Sequence, residues 1–151
     1  MPSVPLQSAS AQTLLALMLG LRMSAFRGQS FTADGVLESA SFQKWHKAQQ
    51  NSAEYHGIFI GMCALIHFGW SRSGLEPSTK SNVACAISAI SSYLFAIGVI
   101  LGKSAAANPT GRGATEQPHP LRLLGAVGRY IAMGLMAYEC YTLSKQPALK
   151  D

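Results

Sequence analysis

Lys44, Lys47, Asn51 and Glu54 follow one another at spacings of three and four, with Tyr55 four beyond Asn51. A helix would carry them on one face, stacked along its axis. Directly behind them the chain turns apolar, from Ile58 to Trp70. Polar side chains at the mouth of a membrane-length helix are costly unless they face other helices or a wet cavity. A cation, an amide, a carboxylate and a phenol so placed can hold a polar ligand, and they are the best site candidates in the chain. The plainer alternative is that Glu54 pairs internally, with Arg22 or Arg129, to neutralise buried charge.

The elements that must position these residues are legible from where charge is absent. Residues 1–21, 55–71 and 81–102 carry no Asp, Glu, Lys or Arg, giving runs of 21, 17 and 22. A membrane span needs about 20 mainly apolar residues. A fourth stretch, 121–143, is apolar except for Arg122, Arg129 and Glu139. The pattern predicts an all-α membrane protein of one domain, 1–151, with four transmembrane helices over about 8–26, 41–70, 82–101 and 121–143 in an antiparallel bundle. Helix one is expected to end near Gly28, and Asp34-Gly35 marks a turn. Ser39 or Ser41 can cap helix two, whose first turns reach beyond its apolar part to protrude or line a polar cavity. Trp45 and Trp70 fit interfacial belts. Helix three is rich in small residues, which let membrane helices approach closely. The segment Gly102–Pro120, with its glycines and X-Pro steps, reads as a loop.

Helix one is read as retained rather than as a signal peptide, since Met1-Pro2-Ser3 has no basic region and Arg22 lacks a small-residue cleavage signature. The net charge of +5 is scattered, without interleaved aromatics, so nucleic acid is not the expected partner. Its better use is topology. Four spans place Arg72, Lys80, Lys145 and Lys150 on one side and Arg22, Arg27, Lys44, Lys47, Lys103, Arg112 and Arg122 on the other. The second side is then the cytosolic, stromal or matrix side, in an endoplasmic reticulum, mitochondrial or plastid membrane. Cys63, Cys85 and Cys140 fall in three different helices without CxxC spacing, against a disulfide framework or a metal site. No P-loop, GxSxG or HExxH is present. His67, Met133 and Met136 read as packing residues.

The run Lys47-Ala48-Gln49-Gln50-Asn51-Ser52-Ala53-Glu54-Tyr55 resembles the Arg-x-Gln-x-Asn-x-x-Glu-Tyr signature of the membrane-associated proteins in eicosanoid and glutathione metabolism. Gln49, Asn51, Glu54 and Tyr55 match, Phe42 matches the aromatic that often opens the motif, and Lys47 replaces the arginine. The resemblance implies a four-helix fold, a homotrimer with its site between subunits, glutathione as co-substrate, and a lipophilic substrate arriving through the membrane lipids. It implies that Lys47, Gln49, Asn51, Glu54 and Tyr55 bind glutathione, with Glu54 accepting from its ammonium group and the amides meeting its amides. Pro120-Leu121-Arg122-Leu123-Leu124 resembles the opening of the family's last helix, whose arginine activates the thiol. A guanidinium lowers a thiol's pKa from about 8.5 and favours the nucleophilic thiolate. A snorkelling interfacial arginine is the plain reading of Arg122.

Helix three departs from the pattern. Ser92 stands where the family carries arginine, and Phe95 where it carries tyrosine or histidine. Tyr93 is a nearby hydroxyl, but its two-residue offset from Phe95 turns it about 200° around the helix. Two functions follow. One is a membrane glutathione transferase or peroxidase. The other is a catalytically degraded relative that binds lipid or serves as an accessory subunit among the foreign subunits of a larger membrane complex.

Overall fold

The computed structural model describes residues 3–102 and 119–145, so most of the expected Gly102–Pro120 loop, with Lys103 and Arg112, and also Lys150, lie outside the described residues. The described chain is all-helical: α1 spans Val4–Ser30, α2 Ala40–Arg72, α3 Thr79–Leu101 and α4 Pro120–Ser144. Two of these, α1 and α3, are long and apolar enough to cross a membrane, with mean hydropathies of 1.3 and 2.1 over their most apolar windows. The helices α2 and α4 carry charges along their length.

Local chemistry sets the ends. Pro5 suits the first turn of α1, where a missing N–H costs nothing. Of the two serines before α2, Ser39 is the cap: its hydroxyl accepts from the Phe42 amide at 3.1 Å. Ser78 caps α3 by accepting from the Ser81 amide at 3.0 Å. Helix α1 does not stop at Gly28 but continues to Ser30. The backbone turns where φ becomes positive, at Gly35 (+73°) and again at Gly74 (+65°) between α2 and α3.

The helices run alternately up and down. Ser3, just before α1, bonds through its hydroxyl to His67 Nδ1 near the end of α2, at 2.9 Å. At the other end of that pair, Phe26 and Phe42 meet edge to face at 5.8 Å. The first turns of α2 are thus met by α1 at Phe26, while Ala40, Ser41 and Gln43 stay exposed. Helix α1 is woven into the fold: Gln12 donates to the Ser88 hydroxyl at 3.0 Å, and Tyr93 donates to the Ala11 carbonyl at 2.8 Å. Its Leu15, Leu19 and Met23 are buried. The helices α1 and α4 do not touch, lying on opposite sides of the α2–α3 pair.

The tightest seam joins α3 and α4. Gly98 lies against the backbone of Arg122, Gly125 against Phe95, and Gly128 against Ser91. Glycines let two backbones approach this closely. A Cβ built on Gly125 would stand 2.6 Å from Phe95 Cα, and one on Gly128 would stand 2.7 Å from Ser91 Cβ. Large apolar side chains remain exposed on all four helices, among them Leu14, Leu17, Phe68, Ile90, Leu124 and Ile131.

The seam yields a sharp comparison. Gly125→Ala forces two backbones apart and is expected to cost about 1–3 kcal/mol. Gly134, in the same helix, has nothing within 4 Å of a built Cβ, so Gly134→Ala is expected to be neutral or stabilising by up to about 1 kcal/mol. Thermal unfolding of the two purified variants measures the difference.

Candidate functional site

The buried stripe of α4 is Gly125, Arg129, Ala132, Met136 and Glu139, spaced four, three, four, three as an inward helix face requires. It carries two charges, and the fold treats them differently. Glu139 Oε2 accepts from the Ser78 hydroxyl at 3.2 Å and from the Ser81 hydroxyl as well. Trp70 Nε1 donates to that same Ser81 hydroxyl at 2.9 Å. This acid thus sits at the N-terminus of α3, where the helix dipole favours negative charge. It closes one end of the bundle.

Arg129 is only 2% exposed. None of its three guanidine nitrogens has a hydrogen-bond partner among the described residues. Its Cζ lies 4.2 Å from the Phe95 ring centroid and 5.1 Å from that of Tyr55. Cation–π contacts of this kind reach about 2 kcal/mol when desolvated. Burying an ion costs several kcal/mol, and arginine cannot escape by losing its proton. The rings therefore reduce the cost without removing it.

Arg129 is among the residues that line a cavity of about 420 Å³ between α2, α3 and α4, with its guanidine nitrogens buried behind the surface of that cavity. Asn51 and Tyr55 enter from α2, and Phe95 enters from α3. Arg122, Arg129 and Tyr130 come from α4, with Leu123 and Ala126 as apolar wall. The Tyr55 and Tyr130 rings cross at 86° with centroids 6.5 Å apart, and their hydroxyls are 3.5 Å apart. Two cations, one amide and two phenols facing apolar and aromatic walls suit an anionic ligand with an apolar portion.

Three residues singled out from sequence therefore meet here: Asn51, Tyr55 and Arg122. Lys47 is half-buried one turn before Asn51, and its carbonyl accepts from the Asn51 amide at 2.7 Å. Gln49 is half-buried and does not line the cavity. Glu54 is exposed on the outside of α2 and also lies off the cavity. The internal pairing considered for Glu54 is not formed, since Arg22 lies over Phe26 and Trp45 at 4.5 and 5.7 Å and Arg129 bonds to no described residue.

Sequence reading passed over Arg129 and Tyr130 as site residues. The signal that finds Arg129 is its place in the four-three repeat with Gly125, Ala132 and Met136. Ser92 is buried, and its hydroxyl has no hydrogen-bond partner among the described residues, while Tyr93 points to α1 as its offset requires. Cys63 and Cys85 are fully buried in the core around Phe59 and Met136. Among the described residues no group of three His, Cys, Asp or Glu could hold a metal ion.

The two α4 charges separate in a mutational test without ligand. Arg129→Met removes a buried charge that the protein compensates only in part, and it is expected to raise stability by about 1 kcal/mol or more. Glu139→Ala removes the carboxylate that accepts from the Ser78 and Ser81 hydroxyls and is expected to lower it by about 1–3 kcal/mol. Thermal melting of ligand-free protein reads both signs.

Set against family models, curated proteins and solved structures, the chain matches none of them. The family resemblance rests on the residues quoted for it.

Proposed function

We propose that this protein is a multi-pass membrane protein that binds glutathione and transfers it to, or uses it to reduce, a lipophilic substrate. The single observation that carries the reading is the cavity in which Asn51, Tyr55 and Arg122 converge with a second, buried guanidinium, Arg129. Glutathione is a small peptide with two carboxylates and a thiol, and two cations plus amide and phenol donors suit it. The aromatic and aliphatic wall of Phe95, Leu123, Ala126 and Tyr130 suits an apolar electrophile or hydroperoxide lying beside the sulfur.

Membrane insertion of all four helices belongs to the same reading. The apolar side chains exposed on α1 to α4 find their natural solvent in acyl chains. Neighbouring copies in a homotrimer would bring further groups to the open side of the cavity and could meet Glu54, which is exposed on α2. One observation favours the accessory or lipid-binding reading: Phe95, which offers no hydroxyl, forms the α3 wall.

Titration calorimetry of glutathione into detergent-purified protein, followed by a conjugation assay with a lipophilic electrophile, tests the proposal. Saturable binding and turnover are expected. Asn51→Ala, which removes one amide from the cavity, is expected to weaken glutathione binding about tenfold, the loss of one well-made hydrogen bond to a charged ligand. Intact, folded protein that neither binds glutathione nor turns over would leave the accessory-subunit function in its place.

A further inference from the structure

The glycine contacts that draw α3 onto α4 fall at Ser91, Phe95 and Gly98, in the second half of α3. At the other end of the same helix pair a second cavity, of about 430 Å³, opens between the two helices. That volume lies within the range of about 300–1,000 Å³ usual for small-molecule sites. Thr79 and Lys80 border it in the first turn of α3, and Val83 stands about one turn deeper. Glu139 and Tyr138 line it from α4, with Leu135 about one turn deeper again. Polar groups thus gather at the end of the bundle and aliphatic ones toward its middle.

Charge at the rim is lopsided. The Glu139 carboxylate turns inward to the Ser78 and Ser81 hydroxyls and is only 7% exposed, whereas Lys80 is exposed. Arg72 and Lys145 are exposed at the same end, against one exposed carboxylate among the described residues, Glu76. Trp70 and Tyr141 are here too, the indole donating to Ser81 and the Tyr141 ring lying 4.3 Å from the Lys145 ammonium. Cations interleaved with Trp and Tyr mark the headgroup level of a membrane bundle. Inward of that level apolar surface continues. Ile131, one turn from Leu135, and Ile90, two turns from Val83, are both exposed.

We propose that this second cavity binds one anionic phospholipid, its phosphate at Lys80 and an acyl chain passing between Val83, Leu135 and Tyr138 toward Ile90 and Ile131. The proposal rests on the membrane insertion proposed above and is independent of glutathione. An acyl chain gains little by leaving bilayer for groove, since lipid tails are as apolar as leucine. Selectivity must therefore come from the headgroup. A lysine ammonium is a compact charge on a flexible stem and follows a phosphate readily. A zwitterionic headgroup would bring its ammonium among Arg72, Lys80 and Lys145, with the Glu139 carboxylate already engaged by two serines. A phosphate esterified to a neutral alcohol meets no such repulsion.

The test titrates dioleoyl phosphatidylglycerol and dioleoyl phosphatidylcholine separately into detergent-purified protein, with bound lipid and subunit number read by native mass spectrometry. Wild type is expected to hold one phosphatidylglycerol in preference to phosphatidylcholine. Lys80→Glu, which turns an attraction into a repulsion, is expected to lower phosphatidylglycerol affinity about tenfold or more and abolish the preference. Val83→Trp, whose bulk fills the cavity, is expected to weaken both lipids, and Lys145→Glu, off the cavity, to change little. No preference in wild type would overturn the site, as would equal losses in Lys80→Glu and Lys145→Glu, the mark of surface charge alone. A change of subunit number in Val83→Trp with lipid binding intact would hand the cavity to a second copy of the chain and overturn it too. Should Lys80→Glu fail to fold, Lys80→Gln decides, a lost preference supporting the site and a kept one overturning it. Alkaline carbonate washing separates the two readings: protein released from membranes overturns insertion and site together, whereas protein that stays inserted without the lipid preference overturns the site alone.

Discussion

A guanidinium held inside the bundle without a hydrogen-bonding partner among the described residues is the constraint around which the α2–α3–α4 packing is arranged. Arg129 reaches its position because α4 lies almost backbone to backbone on α3. Gly98, Gly125 and Gly128 make that approach possible. With a larger residue at Gly125, α4 would ride outward and Arg129 would leave the Phe95 ring on which it rests. The glycine seam and the buried charge are thus one device. The seam sets the depth of the arginine, and the arginine makes an otherwise aromatic hollow attractive to an anion.

The contrast within α4 separates architecture from function. Glu139 and Arg129 lie on the same inward stripe, and a buried charge of either sign needs compensation. For Glu139 the protein provides it, through two serine hydroxyls at the capped start of α3. For Arg129 it provides aromatic faces and an adjoining cavity. A fold able to satisfy one buried ion so fully at one end has the means to satisfy another. Leaving the second guanidinium's donors unused by described residues costs stability, and local departures of that kind are where a functional site is looked for.

The four elements were legible because charge-free runs and turn residues speak directly to helix and loop. The membrane-length apolar character of α1 and α3 could be read in the same way. The lining of the candidate cavity was half legible, for a geometric reason. The buried stripe of α2 runs through Ala48, Ser52, His56 and Phe59, and Asn51 and Tyr55 flank it closely enough to reach the cavity. Glu54 shares their polar face in sequence, yet it stands about 160° around the helix from Ser52 and ends up exposed. A common polar face shows that residues are neighbours, without showing which edge of the face turns inward. Arg129 was obscured for the opposite reason. In an apolar stretch it reads as a charge to be tolerated, and only the glycine spacing on its own helix places it at the interior seam.

The choice of aromatic walls completes the physics. A hydrogen-bonding wall of serines or carboxylates would satisfy Arg129 by consuming its N–H donors and would compete with any ligand. Phe95 and Tyr55 stabilise the cation through their ring faces, an electrostatic contact that leaves the donors unspent. A lysine in that place would present a compact, strongly hydrated ammonium in place of a flat fork. It would suffer more from burial and offer a ligand less geometric guidance. The phenylalanine at position 95, which removes a hydroxyl from α3, gains its own logic here. It supplies the ring face against which a buried guanidinium packs without consuming its N–H donors.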